Sequence, residues 1–291
     1  MDWVNAVVQG VLLGGLYALL ATGLSLVFGV MRMVNLAHGD FATLAAYLAL
    51  VVVSASGVNP FLAIIVVVPV MAAGGYVLQR LLLNRSIEHG PLSPLLVTFG
   101  LSVILQNVML DRFSANSQGL DAGAIENASI HITDQIAVGT FPLVTFIVGF
   151  AVLGGLGSIL ARTQLGRALR ATADDDAAAR LVGIDNRHLY AIAMAMAFAT
   201  VAVAGIFLGI RGTFGPSDGP TQLISAFEAV IIGGLGSLWG TLIGGIVLGV
   251  AQALGSQISP AYQLLVGHVV FLAILVLRPR GLFAPATARQ A

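Results

Sequence analysis

The chain has 291 residues, 58% of them hydrophobic and only 9% charged, with 13 basic side chains against 13 acidic ones. Roughly a quarter of a soluble domain's residues are charged, so this composition excludes a water-soluble globule, and its high hydrophobicity excludes a disordered chain. Zero net charge gives no reason to expect nucleic acid as a partner, and the lack of cysteine removes disulfides, thiolate metal sites and cysteine nucleophiles.

The apolar runs are continuous and lack period-2 alternation, which predicts an all-α, polytopic transmembrane bundle rather than a barrel. A crossing needs about 20 mostly apolar residues. The first run, Trp3–Met31, is uncharged, follows a terminus without basic residues and is too long for a signal-peptide core. It is expected to stay as a span. Leu36–Val53, Phe61–Leu83, Leu95–Leu110, Phe141–Ala161 and Leu189–Ile210 follow, then a short Leu223–Ile232, a glycine-rich Leu238–Leu254 and finally Tyr262–Leu277. These nine segments allow eight to ten crossings, because the first is overlong and the seventh short. Residues 1–291 therefore read as one transmembrane domain.

Alternating the segments puts Arg32, Arg80, Arg85, Arg162, Arg167, Arg170, Arg180, Arg187, Arg278, Arg280 and Arg289 at one side, leaving Arg112 and Arg211 at the other. An 11-to-2 excess of arginine marks the cytoplasmic side. The N-terminus is then outside, the C-terminus cytoplasmic, residues 111–140 an external loop and residues 163–188 a cytoplasmic one. In the cytoplasmic loop, Thr172 and Asp175 have capping-box spacing, Asp174 to Asp176 suit a first turn, and Gly183 suits a stop. Ala177, Ala178, Leu181 and Val182 fall on one face. One short, capped amphipathic helix is predicted, either lying on lipid headgroups or docking a cytosolic partner.

Glycines four apart form small-residue stripes that let helices approach closely: Gly10 with Gly14, Gly236 with Gly240 and Gly244, and Gly245 with Gly249. Polar side chains at membrane depth are costly and so are candidates for function. Asn35, His38 and Asp40 open the second segment, Gln106 and Asn107 sit late in the fourth, and Glu228 lies inside the seventh. Each suits a substrate pathway or an interhelical hydrogen bond. His38 and Asp40 are two residues apart and would not face each other on a regular helix, though a break at Gly39 would change that. Glu228 is expected to face protein, in the pathway or holding the short segment in place. There is no GxxxxGK[ST] loop, HExxH or GxSxG elbow, so ATP hydrolysis by the chain alone is not expected.

The stretch Gly23-Leu24-Ser25-Leu26-Val27-Phe28-Gly29-Val30-Met31-Arg32-Met33-Val34-Asn35-Leu36-Ala37-His38-Gly39-Asp40-Phe41 resembles the N-terminal motif of LivH-type permeases, the membrane subunits of branched-chain amino acid ABC importers. The resemblance continues through Thr98–Ser102 with Gln106-Asn107, Gly166–Ala171 with Gly183-Ile184-Asp185, and Ile231–Ser237. It implies a bacterial cytoplasmic-membrane location and a second, LivM-like permease as partner. It also implies two cytosolic ATPases holding ATP and magnesium, and an extracytoplasmic solute-binding protein, with no cofactor bound by this chain. The capped helix, with Arg167, Arg170, Asp174, Ala178, Leu181 and Gly183, would be the element coupled to the ATPases. Similar permeases serve urea, short amides and other small acids. Two further readings stay open: an ion-coupled secondary transporter using Asp40 and Glu228, and a membrane-embedded enzyme using His38 and Asp40.

Overall fold

The computed structural model describes residues 2–90, 92–133 and 136–283. The helices begin with α1 (Asp2–Met31), α2 (His38–Ser56) and α3 (Pro60–Leu78), which runs through a π-turn at Gln79–Leu83 into the short α4 (Asn84–Ile87). Then come α5 (Leu92–Phe113), α6 (Ala124–Asn127), strands β1 (Ser129–Thr133) and β2 (Ile136–Gly139), and α7 (Thr140–Arg162). The chain finishes with α8 (Gln164–Asp174), α9 (Asp176–Leu181), α10 (Asn186–Arg211), α11 (Gly219–Gly233), α12 (Leu238–Ile258) and α13 (Tyr262–Leu277). Nine of these helices cover the nine apolar segments. Seven are long and apolar enough to cross a membrane, whereas α11 and α13 have 15 and 16 residues.

The long first run is one helix, and it is the axis of the bundle. Most of α1 is buried, with α12, α10, α7 and α11 packed around it. By contrast α3, α5 and α7 bury little and turn apolar side chains such as Ile65, Leu96 and Ile147 outward, as lipid-facing helices do.

Glycine sets how close the axis packs. A Cβ on Gly14 would lie 2.4 Å from the Ile246 Cα, and one on Gly249 would lie 2.3 Å from the Gly10 carbonyl oxygen, so α1 and α12 touch backbone to backbone. Along α11 and α12, Gly240 meets the Gly233 carbonyl, Gly244 meets that of Ala229, and Gly245 meets that of Gly14. Gly236 departs from the expected stripe. It lies before α12, in the turn that follows Gly234, with a left-handed φ of 81° and Gly29 as its neighbour.

Residues 111–140, read as an external loop, hold α6 and the antiparallel β1–β2 hairpin. The hairpin is tied down where the Gln9 side chain donates to the Ala137 carbonyl at 2.9 Å, and Leu120 N–H donates to Gly209 O at 2.9 Å. At the opposite end Arg80 pairs with Asp185 at 3.6 Å, Arg187 pairs with Glu88, and Leu282 N–H bonds Ile232 O. Arg289, used in the charge reading, lies outside the described residues.

Candidate functional site

Between α1 and α2 the chain is irregular over residues 32–37, beginning at Arg32 with a φ of 51°. Irregular backbone at membrane depth survives only where its polar groups find partners in protein or line a cavity. Asn35, fully buried, accepts from Ala37 N–H at 3.0 Å, and Leu36 N–H donates to the Thr98 hydroxyl of α5 at 3.1 Å. His38 then opens α2, its Nε2 donating to the Leu20 carbonyl at 2.9 Å. Asp40 points elsewhere. Its carboxylate packs on Gly219, with Ser102 and Gln106 beside it, and neither oxygen has a hydrogen-bond partner among the described residues. The break thus precedes His38, Gly39 sits inside the helix, and the two side chains do not pair.

Gly39 instead permits a crossing. A Cβ there would lie 1.9 Å from the Gly219 carbonyl oxygen, so the first turn of α2 and the first turn of α11 are in backbone contact. Consequently α11 starts inside the bundle, at the depth of Asp40. At about 22 Å it is short for a full crossing.

Gln106 donates to the Ser102 hydroxyl at 3.1 Å. Asn107 does not join it: successive helical residues point about 100° apart, and Asn107 is exposed, bonded back to Val103 O at 2.7 Å. Glu228 is 3% exposed and faces protein, with Oε1 at 2.5 Å from His268 Nδ1 of α13 and Oε2 unpartnered. Glu228, Val34, Leu36, Leu223, Ile224, Phe227 and Phe271 line an open cleft of about 210 Å³. His268 escaped sequence reading because it carries no motif; its signal was an ionisable residue inside an apolar segment. A second hydrogen-bonded pair also went unread, Tyr17 donating to Gln252 at 2.6 Å.

Residues 163–188 hold two helices rather than one. Thr172 does not cap, because its hydroxyl is buried and turned to Asn186 Oδ1 at 3.3 Å. Thr163 caps α8 by accepting from Gly166 N–H. The carboxylate of Asp175 caps α9, accepting from Ala177 and Ala178 N–H at 3.0 and 2.9 Å. Asp174 therefore ends α8 instead of starting a first turn. Gly183, with φ 86°, follows α9, and Arg180 pairs with Asp176 at 2.8 Å. Arg167 is exposed, and Arg170 reaches back to the Leu160 carbonyl. Asn186 donates to Asp176 O at 2.7 Å, fixing α9 to α10. Ala177 and Ala178 are exposed, Leu181 is 89% exposed and Val182 77%. Asp185 caps α10; the His188 N–H it accepts, together with the Arg80 guanidinium, holds its carboxyl below the usual range.

Among the described residues no three His, Asp or Glu side chains gather as metal ligands. Residues 6–277 match the family model described as "Branched-chain amino acid transport system / permease component". The high-affinity branched-chain amino acid transport system permease protein BraD of Pseudomonas aeruginosa is 29% identical over 292 residues, covering 96% of this chain and 95% of that protein. The corresponding LivH of Escherichia coli is 30% identical, covering 94% of this chain and 93% of its own length. LivM of the same organism is 31% identical over 133 residues, 45% of this chain and 31% of that protein.

Proposed function

This chain belongs to the family of branched-chain amino acid transport permeases, and we propose that it works as one of two related permeases in an ABC importer. It is a multi-pass protein of the cytoplasmic membrane and a transport component. Its partners are a second, LivM-like permease, two cytosolic ATPases that bind ATP and magnesium, and an extracytoplasmic protein that delivers the solute. That LivH and LivM of one organism are both permease proteins of a high-affinity branched-chain amino acid transport system supports the pairing. The solute is a branched-chain amino acid.

The segment 163–188 is the docking element for the ATPases and lies in the cytoplasm, with the N-terminus and residues 111–140 outside. One observation carries this reading. Leu181 and Val182 stand in the open on a six-residue helix whose ends are capped by Asp175 and terminated at Gly183. A helix this short is marginal alone, so its caps and its tie to Asn186 hold an apolar patch outward, beside the Arg180–Asp176 pair. An apolar centre with a charged rim is the anatomy of a protein interface. ATP binding closes the ATPases, and the docked segments carry that movement into the bundle, which opens alternately to the two sides.

Ala178→Glu tests it. The substitution leaves every span untouched and places a charge in the docked patch, an unpaired charge in an interface costing several kcal/mol. The variant is expected to insert, to pair with its sister permease and to lose both solute-stimulated ATPase activity and uptake. A purified variant assembly that kept its ATPases and pumped at the wild-type rate would make α9 a passive linker. Impermeant thiol reagents on Ala171→Cys and Ser117→Cys, both exposed positions, check the sidedness in spheroplasts, with labelling expected at residue 117 alone.

A further inference from the structure

The geometry points to the cleft between residues 34–36, α11 and α13 as the permease's own amino acid site, with Glu228 taking the substrate's α-ammonium group and the apolar wall its side chain. This rests on the reading of the chain as an amino acid permease and adds to it a position, a recognition chemistry and a residue that selects the substrate.

Three observations meet there. First, Glu228 is a carboxylate at membrane depth, and such groups are costly unless they are paired. His268 satisfies one oxygen and leaves Oε2 without a partner. A carboxylate oxygen with no donor is what an ammonium group, with its several N–H donors, completes. Second, one wall is irregular backbone. Val34 and Leu36 reach the cleft from the break between α1 and α2, and Leu223, Ile224, Phe227 and Glu228 reach it from the half-length α11. Broken and half-length helices at mid-depth are how membrane carriers build solute sites, because helix ends expose backbone groups there. Third, the size and chemistry of the lining suit one solute class. A volume of about 210 Å³ holds roughly seven waters' worth of liquid, the scale of a small amino acid. The rest of the lining is aliphatic or aromatic, offering an apolar side chain a dry surface and an ion nothing else. No arginine lines the cleft, so the substrate's carboxylate points to its open side.

His268 is a positioning residue in this arrangement. It is 43% exposed in its side chain and holds Oε1, leaving Oε2 buried and without a partner at the edge of the cleft. An empty cleft lined by Glu228 alone would attract cations at large; the hydrophobic wall restricts it to cations that carry an apolar body.

The test is uptake of labelled leucine by the full assembly in proteoliposomes, with the binding protein supplied and ATPase activity read in parallel. Glu228→Gln keeps the shape and removes the charge. It is expected to lower leucine uptake roughly tenfold or more, the worth of one charge-assisted hydrogen bond, while ATPase stimulation by the loaded binding protein persists. Glu228→Asp should recover part of the uptake. A purely structural Glu228 would lose assembly and ATPase stimulation together, and that result overturns the inference. Ile224→Trp, on the exposed rim of the cleft, narrows it without touching a buried group. It should reduce uptake with stimulation retained. Wild-type uptake in both variants overturns the inference and leaves the permease reading standing. A wild-type assembly that carries no amino acid removes the reading and the inference with it.

Discussion

The α9 segment and the Glu228 cleft are mirror images in physical terms. At α9, apolar side chains are held in water by polar devices: a capping carboxylate, an Asp176–Arg180 pair and the Asn186 tie. At the cleft, a carboxylate is held in apolar surroundings by one histidine and by helix packing. Both conformations cost free energy in the isolated chain, and in the functions proposed above a partner supplies the compensation at each. At α9 the compensation is a large apolar surface, with energy spread over several side chains. At Glu228 it is a single charge, so the energy concentrates in one contact. The lesson is that a membrane transporter keeps its unsatisfied groups where something has to bind and leave.

The largest expected effect would break the cleft side of this comparison altogether. Gly39→Val drives a Cβ into the Gly219 carbonyl, against which even a bare Cβ would lie 1.9 Å away. Backbone cannot yield as a side-chain tip can. The expected result is loss of monodisperse protein in size-exclusion chromatography, while Gly74→Val, where no atom lies within 4 Å, keeps the wild-type yield. A folded Gly39→Val protein would show that α2 and α11 have slack.

Next comes a separation of stability from transport. Exchanging both members of a buried polar pair for apolar residues is often neutral or stabilising, whereas removing one alone is costly. The double variant Glu228→Met with His268→Leu is therefore expected to leave the melting temperature unchanged or raise it, by roughly 2–4 °C per kcal/mol gained, and still to abolish uptake. A large drop in melting temperature would mean that the pair holds the fold, and the contrast with α9 would disappear.

The smallest effect sharpens the α9 side. Asp175→Ala removes the acceptor of two N–H groups, at a cost of about 1 kcal/mol. Protection of the Ala177 and Ala178 amides in hydrogen exchange should fall about fivefold by the same free energy. Asp175→Asn, still a good cap, should restore most of it. Unchanged protection would mean that Asn186, not the cap, holds the helix.

The apolar runs carried a good deal of this. The nine apolar runs correspond one for one to helices, and the polar stretches between Phe113 and Thr140 and between Arg162 and Asn186 lie outside them. Such features are local: a run of apolar residues must be helical at membrane depth because nothing else satisfies its backbone. Gly183, Asp176 and the exposed quartet on α9 were equally legible, since capping and helical phase act within a turn or two.

Tertiary structure decided the rest, because the deciding partners lie far apart in the chain. Whether Thr172 or Asp175 caps depends on Asn186, fourteen residues beyond Thr172, which occupies the threonine hydroxyl. That Asn107 faces outward and Gln106 inward follows from how α5 rotates against α2, which no phase within α5 alone fixes. Gly236 left the glycine stripe because α11 ends at Gly233 against α12. The pairing of Glu228 with His268, forty residues away, requires α13 to fold back on α11. The sequence by itself determined that the chain is a helical bundle in a membrane and which polar residues enter at a cost. Which of those residues meet was settled only by packing, because a buried charge takes its partner from whichever helix the glycines allow to come close.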